Sequence, residues 1–299
     1  MIFGKDNMKN KIDLGIYDKS YDEVEKGLIP SLLSFYKNPS EAYIKPFRII
    51  GNLYYVGDRR VCAHLIDTGE GLILFDAGYQ HAIHLLIGSI YEMGFDPKDI
   101  KYLILSHGHF DHFGACNEFR ALYNCKTYMS KADSDMLRKS PEASLMYLSP
   151  NPYASLPVID HEFSDGEIIK LGNTEIKCVL SPGHSPGTMS FFFDVTDKGK
   201  TYKVGYFGGT GFLTLYKDYL NKYGLDLGLR EEFIKTIEKL KKMKVDIMLG
   251  NHPSHNSTLE KRARMLEDPD NNPFVDPMEW NEYLDRLGEQ YRAFLEKDK

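Results

Sequence analysis

"SHGHFDHFGA", residues 106–115, places three histidines and an aspartate within six positions, directly after the apolar run Tyr102-Leu103-Ile104-Leu105. A short, nearly continuous apolar run reads as a strand buried on both faces, which puts the polar cluster at its mouth. In an extended segment, side chains two positions apart share a face. His107 and His109 can therefore hold one cation together, while Asp111 and His112, turning off that line, can hold a second. Neutral imidazole and ionised carboxylate are the donors a metal needs. The competing reading is a His-rich turn without a metal. It would bury four polar groups with nothing to pair them, which is costly.

Zinc usually takes three or four protein ligands, so this cluster needs partners from elsewhere in the chain. His184 in "CVLSPGHSPGT" and His252 in "DIMLGNHPSHN" each follow a run that reads as a strand. Three histidines at one metal and His–Asp–His at the other would make a workable pair, each keeping an open position for water. His64, His81, His84 and His161 read as structural. His255, three residues after His252, is within reach of the pocket mouth.

The bulk properties narrow the class. At 299 residues the chain can bury a sizeable core, and 42% apolar with 27% charged content is ordinary for a globular protein. Lys+Arg at 37 against Asp+Glu at 43 gives a net charge of −6 with no long basic block, which argues against nucleic acid or an anionic membrane as partner. No apolar stretch approaches the ~18 residues of a membrane span, and the N-terminus lacks the apolar core of a secretion signal. The four cysteines (Cys62, Cys116, Cys125, Cys178) are far apart, as suits reduced thiols and a cytoplasmic location.

Residues 20–37 read as helical pieces broken near Gly27 and Pro30. From Arg48 onward, "FRIIGNLYYVGD", "AHLIDT" and "GLILFDAG" read as successive hairpin strands. Helices are expected over about 81–93, 115–123, 131–138 and 229–243. "SPEASLMYLSPNPYASLPVID" is a long connection in which Tyr147 and Tyr153 are candidates to shape a pocket. The C-terminal helix has Asp276 as expected N-cap, Pro277 at its first position and Glu279 closing a capping box. Its apolar stripe is Met278, Tyr283, Leu284, Leu287, Tyr291 and Phe294. The order of strands then helix, repeated once, predicts an α/β sandwich of two similar halves. Residues 1–45 are expected to form a helical extension, and 46–299 a single domain that includes the C-terminal helix.

H-x-H-x-D-H after a buried strand, the Pro-Gly-His loop and the late Gly-x-His-Pro resemble the metallo-β-lactamase superfamily. Within it, "PFRIIGNLYYVG", "GLILFDAGY", "SPGHSPGTMSF" and "NPFVDP" are most similar to the third subclass of class B, whose zinc ligands are only His and Asp. The resemblance implies a four-layer αββα sandwich binding two Zn2+. It puts His107, His109 and His184 on the first ion and Asp111, His112 and His252 on the second. Asp76, in "LFDAG", matches an aspartate that supports the site from behind the ligands.

Two departures bear on substrate. Many superfamily hydrolases carry a metal-bridging aspartate where Thr210 stands in "YFGGTGF", and subclass-three β-lactamases show Ser-x-Ser or Ser-x-Thr there. This chain reads Thr210-Gly211-Phe212, so Thr210 and Phe212 are the expected substrate contacts, with one hydroxyl kept and one replaced by a ring. The expected reaction is attack by a metal-bound hydroxide, held by Asp111, on the amide or ester carbonyl of a small-molecule substrate, with β-lactams as one class. A cytoplasmic hydrolase of a lactone, thioester or other amide is the alternative. A metal-binding or redox protein without hydrolytic activity is the third reading.

Overall fold

The computed structural model describes residues 19–149, 151 and 154–299. Two sheets stack face to face. The first runs in chain order as β1 (Phe47–Ile50), β2 (Leu53–Tyr55), β3 (His64–Asp67), β4 (Leu72–Phe75), β5 (Ile100–Ile104), β6 (Lys126–Ser130) and β7 (His161–Phe163). The second contains β8 (Ile168–Leu171), β9 (Thr174–Leu180), β10 (Met189–Asp197), β11 (Lys200–Phe207) and β12 (Ile247–Gly250), in the order β12-β11-β10-β9-β8. Strands β1 to β4 pair antiparallel as hairpins, and β4 to β7 pair parallel. The parallel pairs need crossovers, supplied by α2 (Ile83–Glu92), α4 (Cys116–Tyr123) and α5 (Lys131–Lys139), with the single turn α3 (Phe110–Phe113) before α4. Before the sheets comes α1 (Tyr21–Lys37). In the second half α6 (Lys217–Lys222) and α7 (Leu229–Leu240) connect β11 to its parallel neighbour β12, followed by α8 (Thr258–Glu267) and α9 (Glu279–Lys297).

The period of two along each strand divides the apolar residues between layers. Ile73 and Phe75, Ile104, Phe191 and Phe193, Tyr206, Ile247 and Leu249 fill the space between the sheets. Their neighbours Leu72, Leu74, Leu103, Phe192, Phe207 and Met248 face outward and are covered by helices. Both faces of the central strands are thus buried, which is why they read as continuous apolar runs. The expected αββα sandwich is the architecture observed.

Three local expectations need correcting. Helix α1 is continuous, with Pro30 inside it. Pro30 is exposed, so its missing N–H leaves a carbonyl that water can satisfy, while Tyr21, Val24, Leu32 and Phe35 bury the opposite face. Helix α9 begins at Glu279 with no side-chain cap. Asp276 instead accepts the Met278 N–H at 3.0 Å, and the Glu279 carboxylate pairs with the buried Lys261 ammonium. Leaving that ammonium unpaired would cost more than a capping bond is worth. Met278 is solvent-exposed, and Trp280 takes its place in the buried stripe. Among the described residues no helix is long and apolar enough to cross a membrane.

Candidate metal centre and active site

The polar residues singled out in the sequence lie on segments that leave the C-terminal ends of strands in both sheets, Asp111 and His112 on the single turn α3 and the others on loops. Asp76 follows β4, His107 to His112 follow β5, His184 follows β9, Thr210 follows β11 and His252 follows β12. Closing the sandwich brings these loops to one edge.

There the histidines converge. His184 Nε2 lies 3.0 Å from His109 Nδ1 and 3.2 Å from His107 Nε2. His112 Nε2 lies 3.3 Å from His252 Nε2 and 3.3 Å from Asp111 Oδ2, which is 3.5 Å from His252 Nε2. The two sets abut: the rings of His107 and His112 are 4.2 Å apart, and donor atoms of His107, Asp111 and His112 all lie within 4.8 Å of one another. Four donors 2.0–2.1 Å from one tetrahedral ion would stand roughly 3.3 Å apart. The donor spacings and donor chemistry of both sets fit a cation.

The far side of the rings is equally ordered. His107 Nδ1 meets Ser106 Oγ at 3.0 Å, His184 Nδ1 faces the Gly211 carbonyl at 2.7 Å, and His252 Nδ1 faces the Arg60 carbonyl at 2.7 Å. A ring N–H given to a carbonyl leaves the other nitrogen with its lone pair toward the site. His112 Nδ1 is 2.9 Å from Asp76 Oδ2. His109 differs: its Nδ1 faces the cluster and its Nε2 is buried with no partner among the described residues.

Asp76 is fully buried with backbone φ of +58°, a left-handed conformation uncommon outside glycine. This turns its carboxylate under β5. It accepts the Ser106 N–H at 2.7 Å, the Ser106 hydroxyl at 2.8 Å and the Tyr206 hydroxyl at 2.6 Å besides facing His112. The partners Ser106 and Tyr206 were not legible in the sequence, where they read as ordinary strand residues.

Charge is unevenly spread over the cluster. Burial holds His107 and His109 well below the usual imidazole range and His184 at about 4, with the neighbouring histidines adding to the effect. Burial pushes His112 the same way, but the Asp111 and Asp76 carboxylates outweigh it and hold the ring up at about 10. Burial opposes ionisation of Asp111, yet His112, His252 and His109 keep it well below the usual carboxylate range. The neutral rings of His107, His109 and His184 and the ionised Asp111 are in the state that holds a cation, whereas the His112 ring carries a proton that metal binding would have to release.

The expected substrate contacts divide. Thr210 stands between Gly209 and Gly211, and a Cβ on Gly209 would meet His184 Cδ2 at 2.5 Å, so only glycine lets the loop pass that ring. The Thr210 hydroxyl accepts from Tyr283 at 3.0 Å and lies 3.1 Å from His255 Nε2. Phe212 corrects the sequence reading: its ring is 1% exposed and packs against Phe233, Tyr291 and Phe294 at centroid distances of 5.1–5.8 Å. It belongs to the core beneath α9 and does not face the site. Tyr147 bonds through its hydroxyl to Tyr21 and Glu25 of α1, and so anchors its loop to that helix. Tyr153 lies outside the described residues. His255 packs its ring 5.2 Å from that of His252.

An αββα sandwich with His and Asp side chains gathered at one sheet edge defines a class of metal-dependent hydrolase. The model for the metallo-beta-lactamase superfamily matches residues 56–197. The chain is similar in structure to BJP-1, a subclass B3 metallo-beta-lactamase of Bradyrhizobium japonicum, at 28% identity and a TM-score of 0.76 over 86% of this chain and 96% of that one. It is also similar to the metallo-beta-lactamase GOB-18 from Elizabethkingia meningoseptica, at 31% identity and a TM-score of 0.74 over 86% and 94% of the two chains. Among sequence relatives, hydroxyacylglutathione hydrolase GloC of Haemophilus influenzae is 30% identical over 152 residues, which is 50% of this chain and 68% of that protein. The chain belongs to the metallo-beta-lactamase superfamily, and it is a hydrolase.

Proposed function

We propose that this hydrolase is a dinuclear zinc enzyme that opens the carbonyl bond of a small amide or ester, with β-lactams as the first class of substrate. The observation that carries this reading is the pair of abutting donor sets. His107, His109 and His184 form one, and Asp111, His112 and His252 form the other, with spacings of 3.0–3.5 Å. When bound, zinc supplies Lewis acidity, lowering the pKa of water toward ~7 and polarising the carbonyl under attack.

The chain's own residues then have distinct work. Asp111 offers an anionic oxygen on the half-open side of the cluster, where it can accept a hydrogen bond from the attacking water and fix its approach. Asp76 holds the His112 ring through Nδ1, so that Nε2 faces the site. Thr210, beside the His184 ring, is the proposed substrate contact. Four buried, unpaired cysteines support placing the reaction in a reducing compartment such as the cytoplasm.

A second reading, a lactone, thioester or other amide as substrate, is favoured by Phe212. The hydroxyl that subclass-three β-lactamases show at that position is replaced here by a core ring.

Zinc titration of metal-free protein, followed by turnover of a chromogenic cephalosporin and a carbapenem, tests both. Two zinc ions per chain and turnover that disappears in His107→Ala and His252→Ala are expected. Two ions without turnover would move the substrate to lactones, thioesters and other amides. A chain that takes no zinc would overturn the reading.

A further inference from the structure

The first donor set comes from two loops far apart in sequence. His107 and His109 flank Gly108 after β5, whereas His184 sits in a Pro-Gly-His-Ser-Pro-Gly turn after β9. Neither loop has regular structure to hold it. A third element reaches both. Asp133, in the first turn of α5, is fully buried, and among the described residues its carboxylate has no cationic partner. Its Oδ2 accepts the Gly108 N–H at 2.7 Å and the Ser185 hydroxyl at 2.7 Å, and its Oδ1 accepts the Gly187 N–H at 2.6 Å.

These bonds grip the backbone between the two histidines of one loop and the residues just after the histidine of the other. The contact is close. A Cβ on Gly187 would meet Ser130 Oγ at 2.1 Å and the Asp133 nitrogen at 2.3 Å. The Ser130 hydroxyl accepts the Asp133 N–H at 3.2 Å and caps α5, so the gripping carboxylate is fixed on a rigid element. A buried carboxylate is costly unless its oxygens are fully bonded, and short bonds from N–H and O–H donors to an ionised acceptor are the strong kind.

We propose that Asp133 is the positioning residue of the first metal set, a clamp that fixes the spacing of His107 and His109 relative to His184 before any ion arrives. The second set does not depend on it. The Nδ1 atoms of His112 and His252 are held by Asp76 and by the Arg60 carbonyl. This inference rests on the dinuclear reading above.

The test uses the full chain, stripped of metal, with zinc affinity measured by competition against a chromophoric chelator and the two sets distinguished by cobalt absorption spectra. Asp133→Asn keeps the volume but offers one acceptor oxygen in place of two. Its first-set affinity is expected to fall roughly 10–100-fold, the range seen when groups behind metal ligands are removed, with the second set unchanged. Ser185→Ala, which removes one donor, should shift the first set in the same direction by less. First-set affinity equal to wild type in Asp133→Asn, or an equal loss at both sets, would overturn the clamp.

If Asp133→Asn does not fold, amide exchange in the metal-free wild type and the Ser185→Ala affinity decide together. Slow exchange at Gly108 and Gly187 with a first-set loss upholds the clamp; fast exchange at either amide, or no loss, overturns it. A wild type that binds no metal would bring down the dinuclear reading itself, whereas tight binding by both wild type and Asp133→Asn brings down the clamp alone.

Discussion

His64, on β3, shows how single buried residues set the pH range of this fold. Its ring stands edge-on to Tyr55 and Tyr206 at centroid distances of 5.7 and 5.4 Å, and its Nδ1 is buried with no partner among the described residues. Burial depresses its pKa to about 4. Above pH 6.5 the ring is neutral in both folded and unfolded chains and contributes no pH dependence. Between 6.5 and 4 the unfolded chain binds a proton that the folded one refuses, so stability falls as the pH drops. The metal-free wild type should therefore lose about 2 kcal/mol more than His64→Leu between pH 7.5 and pH 5. Urea midpoints at the two pH values measure it, and parallel losses in the two proteins would refute it. Asp133 obeys the same physics: burial pushes its carboxyl up to about 6, although the Ser185, Gly108 and Gly187 donors oppose the shift.

At the scale of elements, the C-terminal helix is held by rings from the loop next to the site. Phe212, Phe233, Tyr291 and Phe294 form one aromatic cluster joining the β11 exit loop, α7 and α9. Phe212→Ala should cost about 3–5 kcal/mol of stability, the range for emptying a phenylalanine site in a packed core. Denaturant unfolding checks this. A loss below about 1 kcal/mol would mean that the ring is not packed as described. An unchanged KM alongside the lost stability would show that Phe212 acts on folding and not on substrate. The cluster also explains the departure from Ser-x-Ser at this loop: a hydroxyl at Phe212 would be a donor buried among the rings of Phe233, Tyr291 and Phe294.

For the whole molecule, the edge that carries the chemistry is a junction of both sheets. One donor set draws on the loops after β5 and β9, and the other on the loops after β5 and β12. An ion held in either set therefore ties the two sheets together, and none of these contacts survives unfolding. With zinc at about a thousand times its dissociation constant, mass action adds about 4 kcal/mol per ion. Removing zinc with a chelator should lower Tm by on the order of 10 °C, and restoring zinc should reverse the change. Calorimetry checks this. A Tm indifferent to chelator would mean that the sets do not hold metal in the folded chain.

Much of this was legible in the amino-acid sequence because the information is local. Strands buried on both faces announce themselves as apolar runs, and donors two positions apart on an extended loop share a direction whatever surrounds them. Hence β4, β5 and β12 and the cluster His107, His109, Asp111 and His112 could be read directly, His184 and His252 stood out by their place after strand-like runs, and family resemblance implied Asp76 and the division of ligands between two ions. What the string could not carry were choices between equivalent local options. Asp133 reads like any acid in the first turn of a helix, Glu279 like a capping residue, Phe212 like a loop aromatic and Pro30 like a break. Each was decided by partners far away in sequence: the Gly108 and Gly187 amides, the Lys261 ammonium, the rings of α7 and α9, and the buried face of α1. A side chain's burial and hydrogen bonds depend on which distant segments close over it, and only the packed sandwich determines that.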